Sequence, residues 1–517
     1  MARFVAVCSV VLLLCLAAPA GAQTAHSATD ETVTNPDDGT TIGITIFRPA
    51  TASPESQVPV VLHSHGWGGS RTTTIGGTVQ SLLDAGFGVV SIDQRGHGES
   101  SGEAHVQDPT RETEDIKAVI DRVAELDWVL HDTDSSGNPV ANDPVLGAIG
   151  GSYGGGYQTM TALDEIADEG ATRFDALAPE ITWYDLPESL APQKVVRSVW
   201  NVALYAVGAA NVPQFIHEAF AWGTATGQWP DGTLYGQEVD GAPDLDSVFH
   251  EHSPVAFAER GIRIDIPVLL RQGTSDNLFN LNQGLHIFDE ALTDGAREQS
   301  YLVGYNGGHA LPNVLPPGTA AGDDACSPGG FTELTIEFFR RVFAGETTDG
   351  LLPASYNLTT AGGDKCLHLD EFGASSLDVD PLGTGNVVST TGLGAPLHLP
   401  VAEGPLTVAG IPRLAGAVTA LGLDSRAFFG LSVGTSPADA LVIQNNLMPL
   451  REPLPVTDAP FDIELPGVAV EVPEGQSLFL TISPASDMYI EHGTKPAGAL
   501  VLSGLSLTLP GPVGSAL

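Results

Sequence analysis

The stretch VLGAIGGSYGGGYQ, residues 145–158, decides the fold. Residues 145–149 form a short aliphatic run of the kind found in buried central strands. Glycines at 150, 151 and 154 then permit a sharp, strained turn, and residues 156–163 can begin a helix. A serine hydroxyl is a weak nucleophile until a base takes its proton, and a turn between strand and helix holds it out where a base can reach it. Ser152 occupies that turn and is the expected nucleophile of an acyl-transfer reaction.

Working outward, strand-like runs at residues 58–62, 88–92 and 267–270 join the one at 145–149. They alternate with helical patterns from residue 41 to 344, the signature of an α/β domain with a mainly parallel sheet. Residues 110–126 place Ile116, Val119, Ile120, Val123 and Leu126 on one face, so a helix should pack on the sheet there. Between residues 183 and 260 the alternation gives way to aromatic and helical material, including Trp200, Tyr205, Phe215, Phe220 and Trp222. That segment is far longer than an ordinary connection and is expected to form a helical cap over the site. Phe331–Phe343 has the spacing of a closing helix. After residue 345, short apolar runs separated by Gly and Pro turns predict an all-β sandwich. The expected domains are therefore a catalytic α/β domain over 23–346, with its cap at 183–260, and a β domain over 347–517.

Where a serine is mounted between strand and helix, the acid and the histidine follow it in the chain. PVLLRQGTSDN (267–277) runs a strand into a loop holding Asp276, and SYLVGYNGGHALP (300–312) runs another into a loop holding His309. Asp276 would fix the imidazole tautomer, and His309 would act first as base and then as acid. Asp289 and Asp294 are weaker competitors, as are His286 on a predicted helix and His250 and His252 in the cap. Of the two donors needed for the oxyanion, one should be the backbone N–H of Tyr153 and the other the Trp67 N–H in HSHGWGG (63–69). His63 and His65 lack a nearby acid or third ligand and read as structural. Asp93 and His97 in DQRGHGES (93–100) read as scaffold.

The first 22 residues carry Arg3, an apolar run over 4–18 and Ala20-Gly21-Ala22, the layout of a cleavable secretory leader. No later run is long enough for a spanning helix, and Pro510 and Pro512 break the last apolar one. With 63 acidic and 21 basic residues the net charge is -42, which argues against nucleic acid or an anionic membrane as partner. Cys8 and Cys15 fall in the leader, leaving Cys326 and Cys366, for which an oxidising compartment favours a disulfide over two buried thiols. No cofactor is required. Asp132, Asp134, Ser136, Gly137 and Asp143 fall at positions 1, 3, 5, 6 and 12 of a calcium-loop pattern, although position 12 is Asp and a strand follows. An acidic surface turn is the plainer reading.

The mature chain resembles the acyl esterase and X-prolyl dipeptidyl-peptidase family, the α/β-hydrolases that include cocaine esterase. The likeness rests on GGSYGGGYQ, on APEITWYDLPESLAP (178–192) opening the cap, on RQGTSDNLF and YNGGHALP, and on LTVAGIPRLAGAV (406–418) and VPEGQSLFLTISPAS (472–486). It implies an α/β-hydrolase fold with a helical cap, a C-terminal jelly-roll-like domain, and serine catalysis on a small ester or peptide. Family members place a tyrosine side chain in the oxyanion hole, where this chain has His65-Gly66-Trp67-Gly68-Gly69. No acidic pair for a free peptide amino terminus is evident. A secreted carboxylic ester hydrolase is the leading expectation, with an X-prolyl dipeptidyl-peptidase as the alternative. A carbohydrate- or surface-binding protein acting through its β domain is a third.

Overall fold

The computed structural model describes residues 25–309, 324–372, 376–382, 386–490 and 498–511; the leader read at 1–22 lies outside them. The chain begins with β1 (Ser27–Thr34), β2 (Thr41–Arg48), β3 (Val60–Ser64) and β4 (Gly88–Ile92). A hairpin of β5 (His131–Thr133) and β6 (Pro139–Pro144) precedes β7 (Leu146–Gly151) and β8 (Ala176–Glu180). A second ribbon, β9 (Thr233–Leu234) with β10 (Gln237–Glu238), precedes β11 (Leu269–Gly273), β12 (Tyr301–Tyr305), β13 (Tyr356–Thr359) and β14 (Cys366–Leu369).

Apart from the two ribbons these strands form one ten-stranded sheet, ordered β1-β2-β4-β3-β7-β8-β11-β12-β13-β14. The pairings from β4 through β13 are parallel, and β1, β2 and β14 add antiparallel edges. Each of the four strand-like runs read in the sequence is present, its ends shifted by no more than three residues.

Helices α1 (Gly77–Asp84), α2 (Glu112–Ala124) and α3 (Tyr153–Glu169) pack on the sheet. The aliphatic face of α2 drives this: Val119, Ile120 and Val123 are fully buried against Leu62, Val90 and Leu163. Residues 183–260 contain α4 (Leu186–Leu190), α5 (Ser198–Gly208), α6 (Gln214–Thr226), α7 (Leu245–Glu251) and α8 (Pro254–Glu259). Then follow α9 (Leu281–His286), α10 (Asp294–Glu298) and α11 (Phe331–Phe343). Phe338 and Phe339 of α11 cover the opposite sheet face, against Val61, Val89 and Ile149. Among the described residues no helix is long and apolar enough to cross a membrane.

Beyond residue 375 the described residues form β-strands joined by loops and short 3-10 turns. Two five-stranded antiparallel sheets and a two-stranded ribbon enclose a core that includes Leu414, Val418, Phe429, Leu480 and Leu507. The boundary expected at 346/347 is misplaced, because β13 and β14 extend the main sheet and Tyr356, Leu358 and Leu369 join its core. The Gly- and Thr-rich composition that begins at 345 marks short strands, and composition does not tell which sheet receives them.

Cys326 and Cys366 are joined, which ties the start of β14 to the chain ahead of α11. The bridge closes a 40-residue separation, for which loop-closure entropy gives about 4 kcal/mol. Replacing both cysteines by serine is expected to lower the unfolding free energy from urea titration by about that amount and the midpoint with it, and an unchanged midpoint would contradict it.

Candidate active site

β3, β7, β11 and β12 run parallel, so their C-terminal ends share one edge of the sheet, the place where open α/β sheets bind ligands. Each end leads into one of the loops singled out in the sequence.

Ser152 follows β7 at φ 58° and ψ -120°, a conformation most side chains avoid. The turn is wedged against the end of β3. A Cβ on Gly154 would lie 2.6 Å from the Ser64 carbonyl oxygen, and one on Gly150, at φ 149°, would lie 2.4 Å from that of Gly154. Neither position admits a larger residue without moving backbone. Ser152 stands at the head of α3, yet its side chain does not cap the helix, which leaves the hydroxyl uncommitted there.

Asp276 is fully buried beyond β11. Its Oδ1 accepts the Leu278 and Phe279 backbone N–H groups, both at 2.8 Å. Its Oδ2 accepts the His309 N–H at 3.0 Å and lies 2.6 Å from His309 Nδ1. Four donors thus converge on one carboxylate, fixing both the loop and the imidazole. The opposite ring nitrogen of His309, Nε2, is buried with no hydrogen-bond partner among the described residues. The edge of Phe279 meets the His309 ring at 5.1 Å between centroids, and Phe279 lines the same cavity as Ser152. No hydrogen bond joins Ser152 to His309, a contact that in ligand-free hydrolases commonly tightens only with substrate. The competing residues have other partners: Asp289 accepts from Tyr356, Asp294 pairs with Arg297, and His286 bridges Glu290 and Glu464.

The loop after β3 lies beside the serine, for a Cβ on Gly66 would be 3.8 Å from that of Ser152. Trp67 stands on the cavity wall, its indole N–H donating to the Leu204 carbonyl of α5 at 3.0 Å and its ring edge-on to Tyr153. The indole hydrogen is therefore engaged, and any donation toward the serine falls to the backbone N–H. Tyr153 opens α3, where backbone N–H groups lack intrahelical acceptors. α5 crosses this loop so closely that a Cβ on Gly208 would lie 2.2 Å from the Trp67 ring.

Burial keeps the neighbouring histidines uncharged. It lowers His63 and His97 to about 4, and lowers His65 as well. His63 bonds Ser91, and His65 accepts the Gln94 N–H. Asp93 is ion-paired with Arg71. Glu112, pushed up to about 8 by burial, accepts the backbone N–H groups of His105 and Asp108 and so holds the loop carrying Val106 to the cavity wall.

Residues 132–143, read from the sequence as a calcium-like pattern or an acidic surface turn, fall within the β5–β6 hairpin, where Asp134 Oδ1 accepts the Ser136 and Asn138 N–H groups.

The cavity at Ser152 has a volume of about 160 Å³ and lies between the Ser152 turn and the cap. Trp183, Leu186, Val212, Ile216, Trp229 and Phe249 supply much of its wall, and none of the described lining residues is charged. Sequence reasoning missed Arg197 and Trp200, which hold the Asn277 carbonyl and side-chain oxygens. A lone arginine within the apolar run at 195–200 was the available signal. It also missed Asn446, whose partner is 170 residues away and which no local pattern announces.

A model of the X-Pro dipeptidyl-peptidase (S15) family matches residues 38–310, more than half of the chain. The uncharacterized protein YcjY of Escherichia coli (strain K12) is 30% identical over 121 residues, 23% of this chain and 36% of that protein. The chain thus spans about a third of the length of the curated relatives it matches. Two crystal structures share its fold over nearly the full length. One is a CocE/NonD family hydrolase from Staphylococcus aureus, with a TM-score of 0.66, 14% identity, and coverage of 94% of this chain and 93% of that one. The other is an aminopeptidase from a marine sediment Thaumarchaeota archaeon, with a TM-score of 0.65, 13% identity, and coverage of 97% and 99%. At such identities the likeness is one of fold, and the family match carries the assignment: this chain belongs to the X-Pro dipeptidyl-peptidase (S15) family.

Proposed function

We propose that the protein is an exported serine hydrolase that cleaves uncharged carboxylic esters. The observation that carries this reading is the pairing of the buried Asp276 with His309, 2.6 Å apart, whose flanking Phe279 shares a cavity with Ser152. In this mechanism the Ser152 hydroxyl attacks the ester carbonyl while His309 Nε2 takes its proton, and the backbone N–H groups of Tyr153 and Trp67 receive the oxyanion. The imidazolium, stabilised by Asp276, returns the proton to the departing alcohol. Water then attacks the acyl-enzyme by the same route in reverse.

The family name favours a second reading, a dipeptidyl-peptidase. Such an enzyme must hold the α-ammonium group of its substrate, and among the described residues the cavity wall has no carboxylate to receive it. An apolar wall suits an uncharged acyl or alcohol group, since burying an unpaired charge is costly.

Neutral p-nitrophenyl esters, their charged counterparts and Xaa-Pro anilides, each assayed on the mature protein, separate the readings. The neutral esters are expected to be preferred over charged ones by at least about a hundredfold in kcat/KM, the equivalent of ~3 kcal/mol of unrelieved desolvation. A preference for the anilides would replace this reading with the peptidase one.

A further inference from the structure

The loop that carries Asp276 follows a strand of the main sheet but is held from outside that sheet. From the cap, Arg197 donates to the Asn277 carbonyl and Trp200 to the Asn277 side chain. From the β domain, the Asn446 side chain donates to the backbone carbonyl of Asp276 itself at 2.9 Å, with Asn446 only 5% exposed. The turn that presents Asn446 is strained, for Gln444 and Asn445 adopt positive φ of 54° and 48°. It is also packed tightly: a Cβ on Gly430 would come 2.8 Å from the Asn446 carbonyl oxygen. Strain of this kind persists only where the surroundings enforce it, and it gathers at functional sites.

We propose that Asn446 is a positioning residue for catalysis, through which the β domain sets the orientation of the catalytic acid. The inference rests on the triad reading above. The Asp276 carbonyl belongs to the peptide plane that leads directly to the Leu278 and Phe279 N–H groups gripping Oδ1. Without Asn446 that carbonyl is a buried acceptor with no donor among the described residues, and the plane must turn to find one. Turning it moves the two N–H groups, and with them the carboxylate that orients His309. Displacements of about 1 Å at reacting groups can lower rates by as much as a hundredfold.

The test uses the full mature chain with Asn446→Leu, which removes the donor, and Asn446→Asp, which keeps the shape but sets an oxygen against the carbonyl. Asn282→Ala serves as the control. It removes hydrogen bonds to Leu465 and Gly467 across the same domain interface, away from the acid loop. Both Asn446 variants are expected to lose about ten- to a hundredfold in kcat with KM nearly unchanged. The far-downfield proton resonance of the His309 Nδ1–Asp276 bond is expected to move or vanish in both. Asn282→Ala is expected to melt at lower temperature with kcat and that resonance intact.

An equal loss of kcat in Asn282→Ala would overturn the proposal, since general loosening of the interface would then suffice. Wild-type kcat and an unmoved resonance in both Asn446 variants would overturn it as well. Ser152→Ala, run alongside, keeps the two claims apart. Turnover surviving in that variant removes the triad reading, whereas its loss together with unaltered Asn446 variants removes only the positioning role.

Discussion

Ser152→Ala is expected to reduce kcat on a neutral p-nitrophenyl ester by on the order of 10⁴- to 10⁶-fold, the loss seen when the nucleophile of a serine hydrolase is deleted. The hydroxyl neither caps α3 nor bonds His309, so its removal should leave the melting temperature nearly unchanged. Ser152→Gly separates chemistry from folding more sharply. The serine holds φ at 58°, which glycine adopts without strain, so this variant should be equally inactive yet more stable by about 1 kcal/mol. Activity measured beside a thermal melt decides the matter: full activity in either variant would exclude Ser152 as nucleophile.

Asp276→Asn has the second-largest expected effect, about 10⁴-fold in kcat. The asparagine can keep its oxygen toward the Leu278 and Phe279 N–H groups, which preserves the loop. Its amide nitrogen must then face the His309 N–H and Nδ1, where the carboxylate accepted from both. One clash is with a backbone donor, and the other forces His309 into the tautomer that cannot take the serine proton. KM should change little, and retention of more than a tenth of wild-type kcat would show that another group orients His309.

Much of the architecture was legible because it is written locally. The strand before Ser152, the glycines at 150 and 154 and the amphipathic face of α2 each state their role within a few residues. Asp276 and His309 could be singled out because strand-end loops are few and their order in the chain is constrained, and the structure pairs their side chains at 2.6 Å. The boundary at 346/347 was missed because β13 and β14 are four-residue strands in Gly- and Thr-rich sequence, whose affiliation depends on the sheet edge they meet. The calcium-like spacing of Asp132, Asp134 and Asp143 falls on a hairpin turn closed by Asp134, so the spacing serves the turn whatever else it does. Arg197, Trp200 and Asn446 could not be assigned, since each acts on a loop brought near only by the finished fold.

The uncharged cavity within a chain of net charge -42 bears on how a turnover ends. On the proposed ester-hydrolase reading, cleavage at Ser152 would leave an anion where a neutral group had been, and no cation among the described lining residues would receive it. An apolar wall offers that anion no solvation, and the surrounding negative field drives it toward bulk water. On that reading the pocket that accepts the ester would eject the acid, and the rectification of flow would come from a change of charge on the substrate without any moving part.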